Sequence, residues 1–307
     1  RLSEIYKIGS GMQTGFNNAF VFKVYPKDFP SECVKKRITG EIIERYTSKQ
    51  PKEWVLYIED FDNFEDLPES IKDHLISYRN ELSGRADKKR RKAAKWWNFT
   101  FPMHREFYSE EKIWCSYRAP ENKFCLDETS DLIGLTNTTV IFNTNKKVVF
   151  KYTLALLNSE VVTFRYKFIG KKTGNNLLEY FENSVGRIPL FIAEAGTQRL
   201  ISLLVDFIIN IKGARNILVA QFFDQLVQGL VYELYFSDEL KAAGKDIRRH
   251  LGELPPITDA MNDEEKLAII QREFDRLYDP RHPVRNIIET LDSVEVVRTI
   301  REGLQRK

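Results

Sequence analysis

The alternation of hydrophobic and polar residues changes its period near residue 195. Before that point, short segments rich in aromatic and β-branched residues predict strands, and two longer stretches have the spacing of amphipathic helices. After it, apolar residues recur every three or four positions, which predicts helices throughout. The chain is therefore predicted to have an α+β fold, with a mixed α/β domain at residues 1–195 followed by an all-α C-terminal domain at residues 196–307.

Individual elements follow from the same patterns. A glycine-rich loop with two asparagines is predicted to run into a strand between residues 8 and 25. One helix is expected to begin at Pro68, and another spans residues 152–168 with Phe168 on its apolar side. Thr258 and Ser293 are the expected caps of two later helices. Further strands are predicted at residues 54–58, 112–114, 123–126 and 139–142.

Composition and charge narrow the class of protein. Of the 307 residues, 42% are hydrophobic and 30% are charged, as in folded globular proteins, and no apolar run approaches the roughly 20 residues of a membrane span. Three cysteines without a CxxC pair and four scattered histidines favour a reducing cytoplasm over a disulfide framework or zinc site. Lys and Arg number 31 against 26 Asp and Glu up to residue 195, and 16 against 18 beyond it. The basic excess is thus confined to the first domain.

Sequence signatures of catalysis are absent. The loop Gly9-Ser10-Gly11 lacks the third glycine of a dinucleotide cradle, because Thr14 stands in its place. The Asp/Asn-Pro-Pro-Tyr/Phe clamp of adenine methyltransferases is missing as well. This chain is therefore expected to be non-catalytic, with no cofactor and no metal of its own. Glu121-Asn122-Lys123 matches the Glu-x-Lys fragment of metal-dependent nucleases, which leaves a nuclease fragment open as an alternative.

The positive chemical signal is a set of basic, aromatic and amide side chains. Seven Lys and Arg lie within residues 85–95 beside a single acid, Asp87, and two tryptophans follow at once. Lys and Arg neutralise phosphates, Arg reads guanine edges, and Asn and Gln read adenine edges. The candidate DNA-binding residues are Gln13, Thr14, Asn17, Asn18, Lys88, Lys89, Arg90, Arg91, Lys92, Trp97, Arg105, Lys112, Arg118, Arg165, Lys171 and Lys172.

Each of these groups also has an ordinary structural interpretation. The basic run equally fits a solvated helix face, the tryptophans fit a core, and the amide loop fits a tight turn. If the DNA interpretation holds, the run from Lys88 to Lys92 is expected to face the same groove as Thr14, Asn17 and Arg165. Asn17 and Arg118 are then the expected base-reading residues.

Three ordered segments resemble the target-recognition domain of the TaqI-like DNA methyltransferases and the Eco57I-type fused restriction–methylation proteins. Residues 11–20, Gly-Met-Gln-Thr-Gly-Phe-Asn-Asn-Ala-Phe, are similar to the family's Thr-Gly-x-Asn-x-Ala-Phe opening. Tyr78-Arg79, the basic run, Trp96-Trp97 and Glu111-Lys112-Ile113 resemble its second segment, with Glu111 in place of a proline. Leu156-Leu157-Asn158-Ser159 and, about thirty residues later, Ile188-Pro189-Leu190 resemble its closing part.

The resemblance covers about residues 1–195 and implies sequence-specific recognition of double-stranded DNA. In such proteins an S-adenosylmethionine-binding methyltransferase domain precedes the recognition domain. Because this chain opens at Arg1 directly before the glycine-rich segment, that N-terminal domain and its cofactor are expected elsewhere in the same parent polypeptide. The parent is expected to be an adenine-specific methyltransferase, with or without an endonuclease. A nuclease fragment and a helical docking module with an exposed apolar patch in residues 196–307 stay open as alternatives.

Overall fold

The computed structural model describes residues 1–86 and 95–306. Over these residues the fold is α+β, as the sequence predicts, with three small sheets in the first part and helices in the last. The strands are β1 Lys7–Ser10, β2 Val21–Phe22, β3 Val34–Ile38, β4 Trp54–Leu56, β5 Lys112–Ser116, β6 Arg118–Ala119, β7 Phe124–Asp127, β8 Leu132–Gly134, β9 Thr138–Phe142, β10 Lys171–Lys172 and β11 Leu178–Glu179.

The described helices divide between the two predicted domains. Six precede residue 195: α1 Asn17–Phe20, α2 Glu69–Ser77, α3 Arg79–Ser83, α4 Phe150–Leu157, α5 Glu160–Tyr166 and α6 Glu182–Gly186. Seven follow: α7 Ala195–Gly213, α8 Ile217–Tyr235, α9 Ser237–Ala242, α10 Arg248–Leu251, α11 Asp263–Leu277, α12 Pro283–Glu289 and α13 Glu295–Gln305.

The central sheet is antiparallel, with strand order β1-β9-β5-β7. Successive residues of a strand point to opposite faces, and both faces of this sheet are covered. On β5, Ile113 and Cys115 belong to one apolar core and Trp114 to the other. β9 divides in the same way, with Ile141 on one side and Val140 on the other. The strands β5, β7 and β9 are therefore largely buried runs, because the sheet lies between two cores.

The two remaining sheets flank this centre. One has the order β2-β4-β3-β8 and contains the parallel pair β3 and β8. It belongs to the core that also holds Ile71 and Leu75 of α2. The other has the order β10-β11-β6, and β6 follows β5 after a single residue. The small third sheet therefore extends from the end of the central one.

The second core does not stop at residue 195. It joins Ile113 and Leu154 of the first part to Ile208, Phe223 and Ile300 of the helical part. Helices α4 and α7 pack side by side within it. The division at residue 195 marks a change of secondary structure and stays a prediction as a domain boundary, because the apolar packing is continuous across it.

Several predicted element limits are wrong. The helix expected over residues 152–168 is two helices, because Ser159 leaves the helical conformation and its Oγ accepts a hydrogen bond from the Val162 N–H at 3.2 Å to cap α5. Phe168 lies beyond α5 and is 70% exposed. The helix assigned to Thr258 begins instead after Asn262, whose side chain forms a capping box with Glu265.

The start of the chain and the last helix also differ from expectation. Part of the expected glycine-rich loop, Gly9 and Ser10, belongs to strand β1, and the two asparagines open the one-turn helix α1. The last helix, α13, is preceded by Val294 rather than by a Ser293 cap.

Candidate functional site

One end of the central sheet gathers loops from four strands. β1 ends there at Ser10 and β5 at Ser116, while β9 and β7 begin there at Thr138 and Phe124. The loops are tied together by backbone hydrogen bonds, from Gly11 N–H to the Thr138 carbonyl at 2.9 Å and from Tyr117 N–H to the Asn137 carbonyl at 3.0 Å. Because neighbouring strands are about 4.8 Å apart, these loops form one continuous surface. This surface is called the loop end below.

The loop of residues 11–18 contributes amide side chains to the loop end. A Cβ on Gly11 would lie 2.1 Å from the Leu135 carbonyl oxygen, so only glycine permits this approach. Gly15 has φ +75°, a left-handed conformation that also favours glycine. The tight turn leaves the side chains of Gln13, Asn17 and Asn18 exposed.

Thr14 holds this turn from within. Its hydroxyl donates to Asn17 Oδ1 at 2.6 Å and accepts from the Phe16 N–H at 3.2 Å. Its side chain is buried, so the prediction of Thr14 as a direct DNA contact is wrong. Thr14 orients Asn17 instead.

A buried arginine joins the same loop to both flanks of the basic run. The Arg85 guanidinium donates to the carbonyl oxygens of Thr14 at 2.5 Å, Trp96 at 3.0 Å and Asn98 at 2.8 Å, and its Nε donates to Leu82 at 3.0 Å. Arg85 is the first cation of the basic run in sequence, yet it is buried and serves the backbone. The candidates Lys88, Lys89, Arg90, Arg91 and Lys92 lie outside the described residues.

Glu59 fixes the segment that follows the basic run. One carboxylate oxygen accepts from the Phe99 N–H at 2.9 Å and the other from the Asn98 side-chain amide at 3.4 Å. Burial raises the pKa of Glu59, and the Phe99 hydrogen bond and the charge of Arg105 oppose that shift. Arg105 itself is exposed and donates to the Glu59 carbonyl at 2.6 Å.

Two predicted contact residues, Trp97 and Lys112, are in the core. Trp97 is 4% exposed and packs against Phe64, so it cannot stack on a base. Its neighbour Trp96 is half-buried beneath the Arg79 guanidinium, which lies 4.7 Å from its ring.

Lys112 has no exposed surface, because its ammonium is enclosed beside Asp127 at 3.7 Å and donates to the carbonyls of Tyr108 and Glu110. Burial lowers the pKa of Lys112, and the Asp127 carboxylate opposes that shift. The prediction that Lys112 contacts DNA is therefore wrong. It lies at the other end of β5, away from the loop end.

Cationic side chains reach the loop end through the small third sheet. Arg118 on β6 pairs with Glu179 on β11 at 2.9 Å, and Lys171 on β10 lies 3.6 Å from the same carboxylate. Hydrogen bonding to Arg118 lowers the pKa of Glu179, so this carboxylate stays charged and holds the guanidinium in place. Arg118 remains 54% exposed. Lys172, next to Lys171, is exposed and has no ion-pair partner among residues 1–86 and 95–306.

Arg165 lies on α5, and the residue that follows it, Tyr166, packs onto the small third sheet. The Tyr166 hydroxyl donates to the Glu179 carbonyl at 2.7 Å, and the rings of Tyr166 and Tyr180 stack at 4.5 Å. Arg165 points outward and has no ion-pair partner within the described part of the chain. The structure thus brings Gln13, Asn17 and Asn18 to the same end of the molecule as Arg118 and Lys171.

Sequence reasoning missed two exposed turns at this end. Thr136 and Asn137 form the tip between β8 and β9. Asn176 lies in the turn between β10 and β11 with φ +56°. The available signal was the clustering of Thr, Asn and Gly between short strands, which marks turns without showing where they lie.

The structure also shows the residues on which the two alternatives, a nuclease fragment and a helical docking module, depend. Lys123 pairs with Glu121 at 3.5 Å, and no group of three His, Cys, Asp or Glu able to hold a metal occurs in residues 1–86 and 95–306. Ile217 and Leu218, adjacent at the start of α8, are 70% and 54% exposed. Within the described residues, no helix has the length and apolar character needed to cross a membrane.

The fold and the site define a class: an α+β domain that carries polar and cationic loops at one sheet end and continues into helices. A family model, the TaqI-like C-terminal specificity domain, matches residues 35–190, about half of the chain. The chain belongs to this family, which confirms the resemblance found in the sequence. Residues 11–20, which opened that resemblance, precede the matched range.

A solved structure gives the same fold. The chain is similar to the type IIL restriction-modification enzyme MmeI, described in complex with DNA, with a TM-score of 0.57 and 12% sequence identity. The similarity covers 90% of this chain, including its helical part, and 36% of the MmeI chain. Comparison with curated proteins gives no match.

Proposed function

We propose that this chain recognises a sequence in double-stranded DNA as the specificity part of a restriction-modification protein. The observation that carries the proposal is the loop end, where Gln13, Asn17 and Asn18 are exposed at the same end of the central sheet as Arg118 and Lys171. Family membership supports it, as does a fold shared with MmeI, which was solved with DNA.

The two kinds of side chain have separate tasks. The exposed cations suited to phosphates are Arg165, Lys171 and Lys172. Contacts to phosphates fix the position of a protein on the duplex. Amides and Arg118 can form paired hydrogen bonds to base edges, which carry sequence information. Glu179 holds the Arg118 guanidinium, so less side-chain entropy is lost when it meets a base.

A salt titration of duplex binding tests the phosphate contacts. The full chain is compared with Arg165→Ala/Lys171→Ala and with Lys147→Ala/Arg298→Ala, which removes two exposed cations elsewhere and keeps the same net charge. We expect the first variant to flatten the plot of log affinity against log salt by about 0.9 for each phosphate that it no longer neutralises, and the second to match the wild type. Equal slopes for both variants, or no binding by the wild type, would contradict the proposal.

We further propose that the reaction served is adenine N6 methylation, in a type IIG-like arrangement. The methyltransferase domain and its S-adenosylmethionine would then be supplied by the same parent polypeptide, before this chain. The support is that this chain lacks the methyltransferase clamp and spans only 36% of the MmeI chain. Titration calorimetry of the chain with S-adenosylmethionine is expected to show no binding heat. One tight site would overturn this assignment.

A further inference from the structure

The hairpin formed by β10 and β11 lies at the edge of the small third sheet. β6 follows β5 after a bend at Tyr117, and β11 pairs with β6 through Glu179↔Arg118 and Leu178↔Ala119. β10 pairs with β11 in turn, with Lys172 opposite Leu178. The turn of residues 173–177 therefore lies beyond the pair of Lys172 and Leu178, on the side where β6 ends at Ala119.

The turn of residues 173–177 is open at Gly174. A hydrogen bond of 2.8 Å from the Thr173 N–H to the Leu177 carbonyl closes it. No atom outside its two chain neighbours lies within 4 Å of the position that a Cβ would take on Gly174, so the tip is open there. Thr173 and Asn176 line a cleft whose other wall includes Glu302 and Arg306. Lys171, Lys172 and Asn176 are exposed, and no acidic residue occurs between Lys171 and Leu178.

The base of the hairpin, in contrast, is firmly held. The hydroxyl of Tyr166 donates to the Glu179 carbonyl, and the Tyr180 hydroxyl donates to Asn122 Oδ1 at 3.0 Å. The Tyr180 carbonyl accepts the Thr139 hydroxyl at 2.5 Å. A rigid base with an open polar tip is preorganised, so little conformational entropy is lost when the tip binds.

We propose that this hairpin enters the major groove of double-stranded DNA as a two-stranded ribbon, with Asn176 as a base-reading residue and Lys172 as a phosphate contact. The inference rests on the proposed function and adds a specific reading element to it. A major groove of about 12 Å accepts such a ribbon, and an Asn amide pairs with the N6 and N7 atoms of adenine. The deep, narrow major groove of double-stranded RNA excludes side chains, so B-form DNA is the matching duplex.

Asn176 also has a structural role in the turn, which an experiment must distinguish from its proposed role in reading a base. Its φ of +56° is a left-handed conformation that asparagine tolerates better than most residues. Glycine tolerates the same conformation without a side-chain amide. Asn176→Gly therefore keeps the turn and removes the group proposed to read DNA, whereas an alanine would strain the turn as well.

In the experiment, duplexes with a randomised centre are selected by their binding to the full chain and to each of three variants. Asn176→Gly is expected to lose preference at one position, by about 5- to 150-fold in relative affinity, with the rest of the motif intact. Lys172→Ala is expected to keep the motif, bind all sequences more weakly and reduce the salt slope by about 0.9. Lys147→Ala, an exposed lysine beyond the other end of β9, is the matched control and should behave as the wild type.

A second readout uses the selected motif. Replacing its adenine by 7-deazaadenine removes the N7 acceptor, which should weaken binding of the wild type and leave Asn176→Gly unaffected. If Asn176→Gly selects the wild-type motif with the same discrimination, the amide serves only the turn and the inference fails. If the wild type selects a motif and the hairpin variants select it as the wild type does, the inference fails and the proposed function survives. If the wild type selects no motif, both fail.

Discussion

The Tyr46 hydroxyl donates a hydrogen bond of 2.7 Å to Asp224 Oδ1, between residues 178 positions apart in the chain. The same oxygen accepts from Arg45 Nη2 at 2.8 Å and from the Gln228 amide at 3.2 Å. Burial raises the pKa of Tyr46 well above its ordinary value, and the Asp224 charge adds to that rise, so Tyr46 stays a donor. Through this contact, helix α8 holds the segment between β3 and β4 in place.

Replacing Asp224 by alanine should therefore destabilise the whole chain. The substitution leaves the buried Tyr46 hydroxyl without its acceptor, and an unsatisfied buried donor costs about 1–3 kcal/mol. Arg45 loses an ion pair but still donates to the Asn158 carbonyl. We expect the urea midpoint of Asp224→Ala to fall accordingly. Asp259→Ala, which removes an exposed carboxylate from a loop, is the control and should leave the midpoint unchanged. Equal midpoints for the two variants would show that the contact contributes nothing.

Removing residues 196–307 is expected to abolish cooperative folding of the remainder. The second core runs across residue 195, so truncation exposes apolar side chains of α4 that now pack against α7. Thermal unfolding followed by near-ultraviolet circular dichroism should show a sharp transition for the full chain and none for residues 1–195. A cooperative transition of the short form would instead establish residue 195 as a true domain boundary.

Glu59 gives the chain a pH dependence of defined sign. Because burial raises its pKa in the folded state, the folded chain holds this proton more tightly than the unfolded chain does. The contribution of Glu59 to stability is then greatest below about pH 4.3, and it is lost as the pH rises through the folded pKa.

Glu59→Gln should remove that dependence and match or exceed the wild-type stability at pH 7. Its carbonyl still accepts from the Phe99 N–H, and its new amide can donate to the buried Asn98 Oδ1, which now has no partner. Urea unfolding of both proteins from pH 4 to 8 gives the stability difference. A difference that is constant over this range would exclude the role of Glu59 titration.

Removing one member of the buried pair of Lys112 and Asp127 should lower the free energy of unfolding strongly, whereas replacing both members should lower it little. Lys112→Met leaves the Asp127 carboxylate uncompensated in the core, for which we expect a loss of about 3–5 kcal/mol. The double variant Lys112→Met/Asp127→Asn removes both charges and should recover most of that loss. Denaturant unfolding of the single and double variants measures the coupling. Additive losses would mean that the two charges do not interact.

Three strands of the central sheet, β5, β7 and β9, could be predicted because burial on both faces makes them largely apolar, whereas β1, with the sequence Lys-Ile-Gly-Ser, was assigned in part to a loop. β5, β7 and β9 lie within two residues of their predicted limits. The break at Asn158 and Ser159 could not be predicted, because the apolar spacing runs on through it and the cap at Ser159 overrides the periodicity. The shared core was also hidden, since the contacts between α4 and α7 depend on tertiary packing.

The candidate site shows the same limit. The sequence identifies Lys112 as a cation and Trp97 as an aromatic residue, and both types are suited to DNA contacts. It does not show that the fold buries both side chains. Whether a lysine is exposed depends on partners such as Asp127, which lies on a neighbouring strand. The turn at Asn176 was missed for the complementary reason, because a short polar turn looks alike wherever the fold places it.

The two ends of the central sheet differ in what a substitution costs. At one end Lys112 and Asp127 are enclosed, so a change there affects folding. At the loop end, side chains such as Gln13, Asn18 and Asn176 are exposed. Most exposed substitutions alter stability by less than about 0.5 kcal/mol. Under the proposed function, evolution can therefore change what the loop end recognises one side chain at a time, while the scaffold beneath it stays the same.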